Sequence, residues 1–115
     1  MPLSIVYLDD EPDICQIFAD AFAGEDISVA TYTDAEAAVS AIAQRRPDLV
    51  FLDYRLRNTT GDVVAARLDP AIPKVLISGD LNVPQTTKFV RIFPKPFDIH
   101  KITRFLRGYL RPEGA

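Results

Sequence analysis

Five apolar runs of strand length, separated by stretches of helical periodicity, constrain the fold of this chain more than any other feature. The runs fall at residues 3–8, 27–32, 49–52, 74–77 and 89–93. Continuous apolar runs are typical of parallel strands that are buried on both faces. Strand and helix alternating in this way predict an α/β fold in which helices cover both faces of a five-stranded parallel sheet.

Start and stop residues mark the helices between these runs. Pro12 opens the first helix and Gly24 closes it. Thr33 with Glu36 has the form of a capping box, which predicts a second helix running to about residue 46. A third helix is expected around residues 62–68, and a last helix begins near Asp98.

Length and composition predict one soluble domain. The chain has 115 residues, the size of an ordinary domain, and we find no linker, so residues 1–115 are expected to form a single domain without an output domain. No apolar run could cross a bilayer, and no basic segment of a signal peptide opens the chain. Cys15 is the only cysteine, which excludes an internal disulfide and favours the cytoplasm, and we interpret it as a core residue.

Acidic and basic residues are unevenly distributed along the chain. Residues 1–44 contain nine acidic side chains and no Lys or Arg, whereas all 13 basic residues follow. This distribution lacks the chain-wide basic character expected of a nucleic-acid-binding protein. The acidic first part instead indicates a cation site or a face for a basic partner.

Polar side chains that could carry chemistry follow the strands. Ligands of such sheets bind beyond the carboxyl ends of the strands, where the sequence places Asp9, Asp10, Asp53, Ser78 and Lys95. Each residue alone has an ordinary explanation as a helix cap, a turn residue or a surface lysine. The prediction of a site rests on all five arriving at one edge.

Phosphoryl chemistry fits this set of residues. Three crowded carboxylates repel one another and resist ionising unless a cation is present. Mg²⁺ suits them because it takes a few carboxylate oxygens and keeps waters that a phosphate can replace. With the metal and Lys95 the site is near neutral, so Lys95 and Ser78 can hold phosphoryl oxygens. A carboxylate can itself accept the group as an aspartyl phosphate.

The motifs at these strand ends resemble those of the receiver domain of two-component response regulators. The matching pieces are residues 5–12 (IVYLDDEP), 47–53 (PDLVFLD), Gly61, 75–79 (VLISG) and 93–97 (FPKPF). Each motif is short, but their order and spacing are jointly specific and cover nearly the whole chain. The resemblance implies a flavodoxin-like, doubly wound sheet with strand order 2-1-3-4-5.

The resemblance also implies a role for each site residue. Asp53 is the phosphoacceptor, and Ser78 and Lys95 hold the phosphoryl group. Mg²⁺ is bound by Asp10 and Asp53, by Asp9 through water and by the backbone carbonyl of Arg55.

A histidine kinase or a histidine phosphotransfer protein is the implied donor. The chain would then be a switch that signals by protein–protein contact rather than an enzyme, beyond catalysing its own phosphorylation and dephosphorylation. The Lys95–Pro96 peptide bond is typically cis in this family. The single histidine, His100, is interpreted as a surface residue.

Departures from the family pattern bear on output. Ile92 occupies a position that usually carries an aromatic residue in this family. That aromatic residue and the residue at the position of Ser78 together report phosphorylation, so this coupling is in doubt here. The segment from Ser78 to Lys95 is shorter than usual and contains Pro84, so we expect the fourth helix to be short or missing. Arg55 and Asp80 are expected to flank the site and to pair across its mouth.

Other functions stay open at this point. A pseudo-receiver, a constitutive interaction module that is never phosphorylated, is favoured by Ile92 and the short segment but opposed by the five intact site residues. A flavin carrier needs a loop rich in Gly, Ser or Thr after the first strand, and the acidic Asp9-Asp10-Glu11 would repel its phosphate. The sequence contains no pattern that resembles a helix-turn-helix unit, so direct DNA binding is not expected. The sequence does not determine whether the chain forms a dimer.

Overall fold

The computed structural model of this chain describes residues 2–80 and 88–110. Strands and helices alternate along the described residues as β1 (Leu3–Leu8), α1 (Pro12–Phe22), β2 (Ile27–Tyr32), α2 (Ala35–Gln44), β3 (Leu49–Asp53), α3 (Gly61–Ala66), β4 (Lys74–Ser78), β5 (Arg91–Pro94) and α4 (Ile99–Leu110). None of the helices in these two ranges is long and apolar enough to cross a membrane.

The five strands form one parallel sheet in the order β2-β1-β3-β4-β5. This order confirms the predicted doubly wound α/β fold. The register aligns Leu8 of β1 with Leu52 of β3, and Asp53 of β3 with Ile77 of β4. Because all strands run the same way, their carboxyl ends meet at one edge of the sheet, so Asp9 after β1 and Ser78 at the end of β4 lie at the same edge as Asp53.

Alternation along the strands divides the interior into two cores. Odd-numbered residues such as Tyr7 and Phe51 pack with α1 and α4, whereas even-numbered residues such as Leu8 and Leu52 pack with α2 and α3. A strand turns successive side chains to opposite faces, so continuous apolar strands supply both cores. Asp9 and Asp53 continue the odd-numbered rows, which brings both carboxylates to the α1 and α4 side of the sheet.

Some predicted boundaries were wrong. The cap of α2 is Asp34 rather than Thr33, and its carboxylate accepts a hydrogen bond of 2.9 Å from the Ala37 N–H. Both residue types are good caps, but Asp34 is the one that precedes the first helical residue in extended conformation. The strand predicted at 89–93 instead spans Arg91–Pro94.

The connection between β4 and β5 contains no helix within the residues that the structure describes there, 79–80 and 88–90. The predicted short or missing fourth helix falls on residues 81–87, Pro84 among them, which lie outside the described residues. The helix α4 therefore corresponds to the helix predicted to begin near Asp98, and not to the fourth helix that was predicted to be short or missing.

Candidate functional site

Backbone hydrogen bonds position the residues at the carboxyl edge of the sheet. The Asp9 N–H donates to the Tyr32 carbonyl at 3.1 Å, which fixes the end of β1 against β2. The Lys95 N–H donates to the Ser78 carbonyl at 3.0 Å, which fixes the residue after β5 against β4. The ends of neighbouring strands are thus held together, and the polar side chains predicted from the sequence are adjacent.

Three carboxylates converge at this edge. Asp9 and Asp53 are buried, with 0% and 2% of their surface exposed, and Asp10 is half-buried. One oxygen from each of the three carboxylates lies within 4.8 Å of the others. Oxygens at this spacing suit a hard divalent cation, and within residues 2–80 and 88–110 the only ion pairs of Asp9 and Asp53 are with one lysine, Lys95. The donor set therefore fits a divalent metal ion.

Lys95 is the cation that reaches this cluster. Its Nζ lies 3.0 Å from Asp53 Oδ2, within hydrogen-bonding distance, and 3.7 Å from Asp9 Oδ2. The ammonium also lies 3.8 Å from Glu11 Oε2, at the exposed rim. Lys95 is thus closest to the Asp53 carboxylate, the group predicted to accept the phosphoryl.

The pKa values of the central pair are shifted by their surroundings. Burial raises the pKa of Asp53 to about 6; the Lys95 hydrogen bond opposes this shift, and the charge of Asp9 adds to it. Burial alone would lower the pKa of Lys95, but the hydrogen bond to Asp53 and the neighbouring acidic charges outweigh burial and raise it. At neutral pH the site therefore holds an ionised acceptor beside a charged lysine.

The Asp9 side chain is held by donors that the sequence analysis missed. The Tyr7 hydroxyl donates to Asp9 Oδ2 at 2.9 Å, and the Glu11 N–H donates to Asp9 Oδ1 at 3.0 Å. The Cys15 thiol donates to the Asp9 carbonyl at 3.3 Å and is buried, as expected of a core residue. Burial, followed by the charge of Asp9, raises the pKa values of both the Tyr7 phenol and the Cys15 thiol.

A sequence signal for Tyr7 did exist. A tyrosine within an apolar strand needs a partner for its hydroxyl, and residues two apart in a strand share a face. Tyr7 therefore had to lie on the same side of the sheet as Asp9.

Ser78 ends β4, which pairs with β3 on the side away from β1 and Asp9. The residue is 5% exposed. Its Oγ accepts a hydrogen bond of 3.0 Å from the Asp80 N–H. The Asp80 carboxylate accepts two hydrogen bonds from Arg55, at 2.9 Å from Nε and 3.0 Å from a terminal nitrogen. The pairing of Arg55 with Asp80 predicted from the sequence is confirmed, and it links the segment after β3 to the segment after β4.

Gly61 allows close packing beneath the acceptor. A Cβ atom at this position would lie 2.5 Å from the Asp53 carbonyl oxygen and 2.8 Å from Leu76 Cδ1. The Gly61 N–H donates to the Tyr54 carbonyl at 2.7 Å. Only a residue without a side chain fits where α3 begins against the end of β3.

The structure bears on most, but not all, of the remaining residues that the sequence analysis singled out. The Lys95–Pro96 peptide bond is cis and His100 is exposed, as expected. Ile92 is 40% exposed on β5. The Arg55 side chain turns to Asp80, and the role of its backbone carbonyl as a metal ligand stays a prediction.

Comparison with curated proteins points to one family. The family model of the response regulator receiver domain matches residues 5–107. The nitrogen assimilation regulatory protein NtrX of Azorhizobium caulinodans is 33% identical over 112 residues, which cover 89% of this chain and 25% of NtrX. The probable transcriptional regulatory protein TcrX of Mycobacterium tuberculosis is 29% identical over 122 residues, covering 99% of this chain and 52% of TcrX. The chain thus spans between about a quarter and about half of these relatives.

Solved structures show the same fold. The signal receiver domain of an HD domain-containing protein from Pseudomonas fluorescens Pf-5 superimposes with a TM-score of 0.86 at 23% identity, covering 96% of this chain and 95% of that domain. NtrX from Brucella abortus, solved in complex with ATP, gives a TM-score of 0.82 at 29% identity over 96% of this chain and 27% of NtrX. The fold, the strand-end residues and the family match agree, and the chain belongs to the response regulator receiver domain family of two-component systems.

Proposed function

We propose that this chain is a phosphoacceptor switch of a two-component phosphorelay, in which Asp53 accepts a phosphoryl group from a phosphohistidine. The observation that carries the proposal is the buried Asp53 carboxylate, 2% exposed, with Lys95 Nζ at 3.0 Å and two further carboxylates beside it. A receiver domain is a signalling switch, and the chemistry proposed here is confined to Asp53 itself.

Mg²⁺ is the metal that suits this cluster, because it binds carboxylate oxygens and keeps waters that phosphoryl oxygens can replace. Asp10 and Asp53 would bind it directly, with Asp9 acting through water and the Arg55 carbonyl as a further ligand. When bound, the ion neutralises charge on the phosphoryl group and on the acceptor.

Each side chain of the site has a separate task in the transfer. An oxygen of Asp53 forms the new bond to phosphorus as the bond from phosphorus to the donor's imidazole nitrogen breaks. Lys95 moves its ammonium from the Asp53 oxygen to a phosphoryl oxygen, and Ser78 donates its hydroxyl to another. Ser78 Oγ accepts a hydrogen bond from the Asp80 N–H, and within residues 2–80 and 88–110 its hydroxyl proton has no acceptor, so it can be donated to the phosphoryl group.

An apolar surface beside the site supports a protein as the donor. Ile17 on α1 is 49% exposed and Ile99 on α4 is 43% exposed. With Phe97 they line one cleft that also includes Lys95. Large apolar side chains rarely lie exposed together without a partner. We propose that the histidine kinase or phosphotransfer protein docks here, in the cytoplasm, and that the chain contacts neither nucleic acid nor membrane.

The alternative is a pseudo-receiver that binds partners without being phosphorylated. Ile92 favours it, since an aliphatic side chain on β5 cannot act as the aromatic switch that the family commonly uses. The buried Asp53 carboxylate, paired with Lys95, opposes it, because a module that only binds partners has no need of a buried carboxylate with a raised pKa. Whether residues 1–115 act as one domain without an output domain stays a prediction.

Intact-mass measurement after incubation with Mg²⁺ and acetyl phosphate tests the proposal. One phosphoryl adduct is expected on the wild type and none on Asp53→Ala, while Asp20→Ala, which removes an exposed carboxylate of α1, should behave as the wild type. Chelating the metal should abolish the adduct. An unmodified wild type at saturating Mg²⁺ would reject the phosphoacceptor function and favour the pseudo-receiver.

A further inference from the structure

Tyr7 brings its hydroxyl from a buried cluster of aromatic rings into the candidate site. The side chain is 0% exposed. Its ring stacks on Phe18 with centroids 4.1 Å apart and an interplanar angle of 15°, and meets the Phe97 ring edge-on at 6.4 Å. Rings packed on two sides cannot rotate freely, so the position of the hydroxyl is fixed by the core. That hydroxyl donates to Asp9 Oδ2 at 2.9 Å.

Asp9 depends on this donor because its side chain is 0% exposed, so bulk solvent cannot readily replace a lost hydrogen bond to Oδ2. Its Oδ1 accepts from the Glu11 N–H at 3.0 Å and its Oδ2 from the Tyr7 hydroxyl at 2.9 Å. Within the described part of the chain, the next donor to Oδ2 is the Lys95 ammonium at 3.7 Å. The same ammonium lies 3.0 Å from Asp53 Oδ2. Asp9 and Asp53 therefore compete for one lysine.

We propose that Tyr7 is a positioning residue of the phosphoacceptor site: its hydroxyl orients the Asp9 carboxylate for Mg²⁺ and satisfies the oxygen that would otherwise draw Lys95 away from Asp53. The inference rests on the proposed function and deepens it, since Tyr7 touches neither the metal nor the phosphoryl group. Groups that hydrogen-bond to metal ligands fix their orientation and thereby tune the affinity for the metal.

Loss of the hydroxyl has two consequences at the carboxylates. In Tyr7→Phe, Asp9 Oδ2 is left buried with Lys95 as the nearest donor. A buried carboxylate oxygen without a hydrogen bond is costly, so the ammonium shifts from Asp53 toward Asp9. The metal must then compete with Lys95 for Asp9, and the carboxylate is free to rotate. Both changes weaken Mg²⁺ binding, whereas the ring and its packing on Phe18 remain.

The test is a Mg²⁺ titration of metal-free protein followed by amide NMR, in which the dispersed signals of folded molecules are distinguished from those of unfolded ones. The dissociation constant of Tyr7→Phe for Mg²⁺ should rise about tenfold relative to the wild type. Tyr109→Phe removes a phenol from an exposed position of α4, 37% exposed, and should leave the constant unchanged. Phosphorylation by acetyl phosphate should then need more Mg²⁺ in Tyr7→Phe but recover most of the wild-type rate at saturation.

Each alternative result is distinguishable. If folded Tyr7→Phe binds Mg²⁺ as tightly as the wild type, Tyr7 has only a packing role and the inference is wrong. A rate that stays low at saturating Mg²⁺ with an unchanged dissociation constant would also overturn it, because the defect would lie in Asp53. If the wild type itself neither binds Mg²⁺ nor takes a phosphoryl group, the proposed function fails, and the inference fails with it.

Discussion

The proposed phosphoryl transfer requires an ionised Asp53 carboxylate, yet this carboxylate lies almost wholly buried at the end of β3. Burial disfavours the charged form, and one hydrogen bond from Lys95 offsets burial only in part, so the pKa rises from 3.8 to about 6. A group with a raised pKa in the folded state stabilises the fold when protonated, below the unfolded value. This contribution is lost as the pH rises through about 6. The ionised Asp53 carboxylate is therefore a source of instability at neutral pH.

Asp53→Asn should accordingly stabilise the metal-free protein at pH 8, by about 2 kcal/mol in the free energy of unfolding. The amide fills the same space and can still accept from Lys95, but carries no charge to bury. The gain should shrink as the pH falls toward 4.5, where the wild-type carboxyl is itself protonated. Urea unfolding followed by circular dichroism at both pH values measures this difference.

Asp20→Asn is the matched control, because Asp20 is exposed and hydrogen-bonds only to Gln16 among its described contacts. Its effect should stay within about 0.5 kcal/mol at either pH. A less stable Asp53→Asn at pH 8, or a gain independent of pH, would show that the buried charge is not the source of instability.

At the scale of elements, the loops after β3 and β4 carry the groups that surround Asp53. Arg55 in the first loop and Asp80 in the second are joined by two hydrogen bonds, and the Asp80 N–H donates to Ser78 Oγ. The Arg55 side chain is 75% exposed, and an exposed ion pair adds little to stability. Its position across the mouth of the site instead suggests that the pair would limit the access of water to the proposed acyl phosphate of Asp53.

Arg55→Ala should therefore shorten the lifetime of phosphorylated Asp53, with hydrolysis several-fold faster than in the wild type. The denaturation midpoint should not change. Loss of the phosphoryl adduct over time, followed by intact mass after removal of the donor, measures the rate.

Arg67→Ala serves as the control because it breaks a comparable exposed ion pair, with Glu36, outside the site. Its dephosphorylation rate should equal that of the wild type. If Arg55→Ala also leaves the rate unchanged, the pair does not gate water.

At the scale of the whole molecule, the sheet separates two cores, and the site depends on the one formed with α1 and α4. Phe18 lies at its centre, with ring centroids 4.1 Å from Tyr7, 4.7 Å from Phe22 and 5.0 Å from Phe51. Its neighbour in sequence, Ile17, points in a different direction from α1 and is 49% exposed. One helix thus supports the core with one face and leaves an apolar side chain exposed on another.

Phe18→Ala should lower the free energy of unfolding by about 3–5 kcal/mol, because it removes a buried ring and leaves a cavity. Ile17→Ala should cost about 1 kcal/mol or less, since half of that side chain is already in water. Urea denaturation measures the difference. The comparison requires that the free energy of unfolding depends on urea concentration with the same slope in both variants. Similar losses of unfolding free energy in the two variants would contradict the division of α1 into a buried face and an exposed face.

The sequence alone predicted the sheet and the residues at its edge. Strand and helix periods are properties of local sequence, and parallel strands bring their carboxyl ends together whatever the details of packing. Asp9, Asp53, Ser78 and Lys95 could therefore be assigned to one edge before any coordinates. The pairing of Arg55 with Asp80 followed from the same reasoning, because both residues lie two positions beyond a strand-end residue of the site.

Choices between groups of similar local energy were decided only by tertiary structure. Thr33 and Asp34 are both good caps for α2, and the conformation of the chain selected Asp34. Lys74 is a charged residue, and its type alone does not predict burial. It is nevertheless 3% exposed, because its Nζ donates to the carbonyls of Asp69 and Ile72, at 2.8 and 2.9 Å. The bond from Tyr7 to Asp9 likewise depends on how a ring packs against α1. Hydrogen-bond partners and side-chain packing are set by distances across the fold, which periodicity along the chain does not encode.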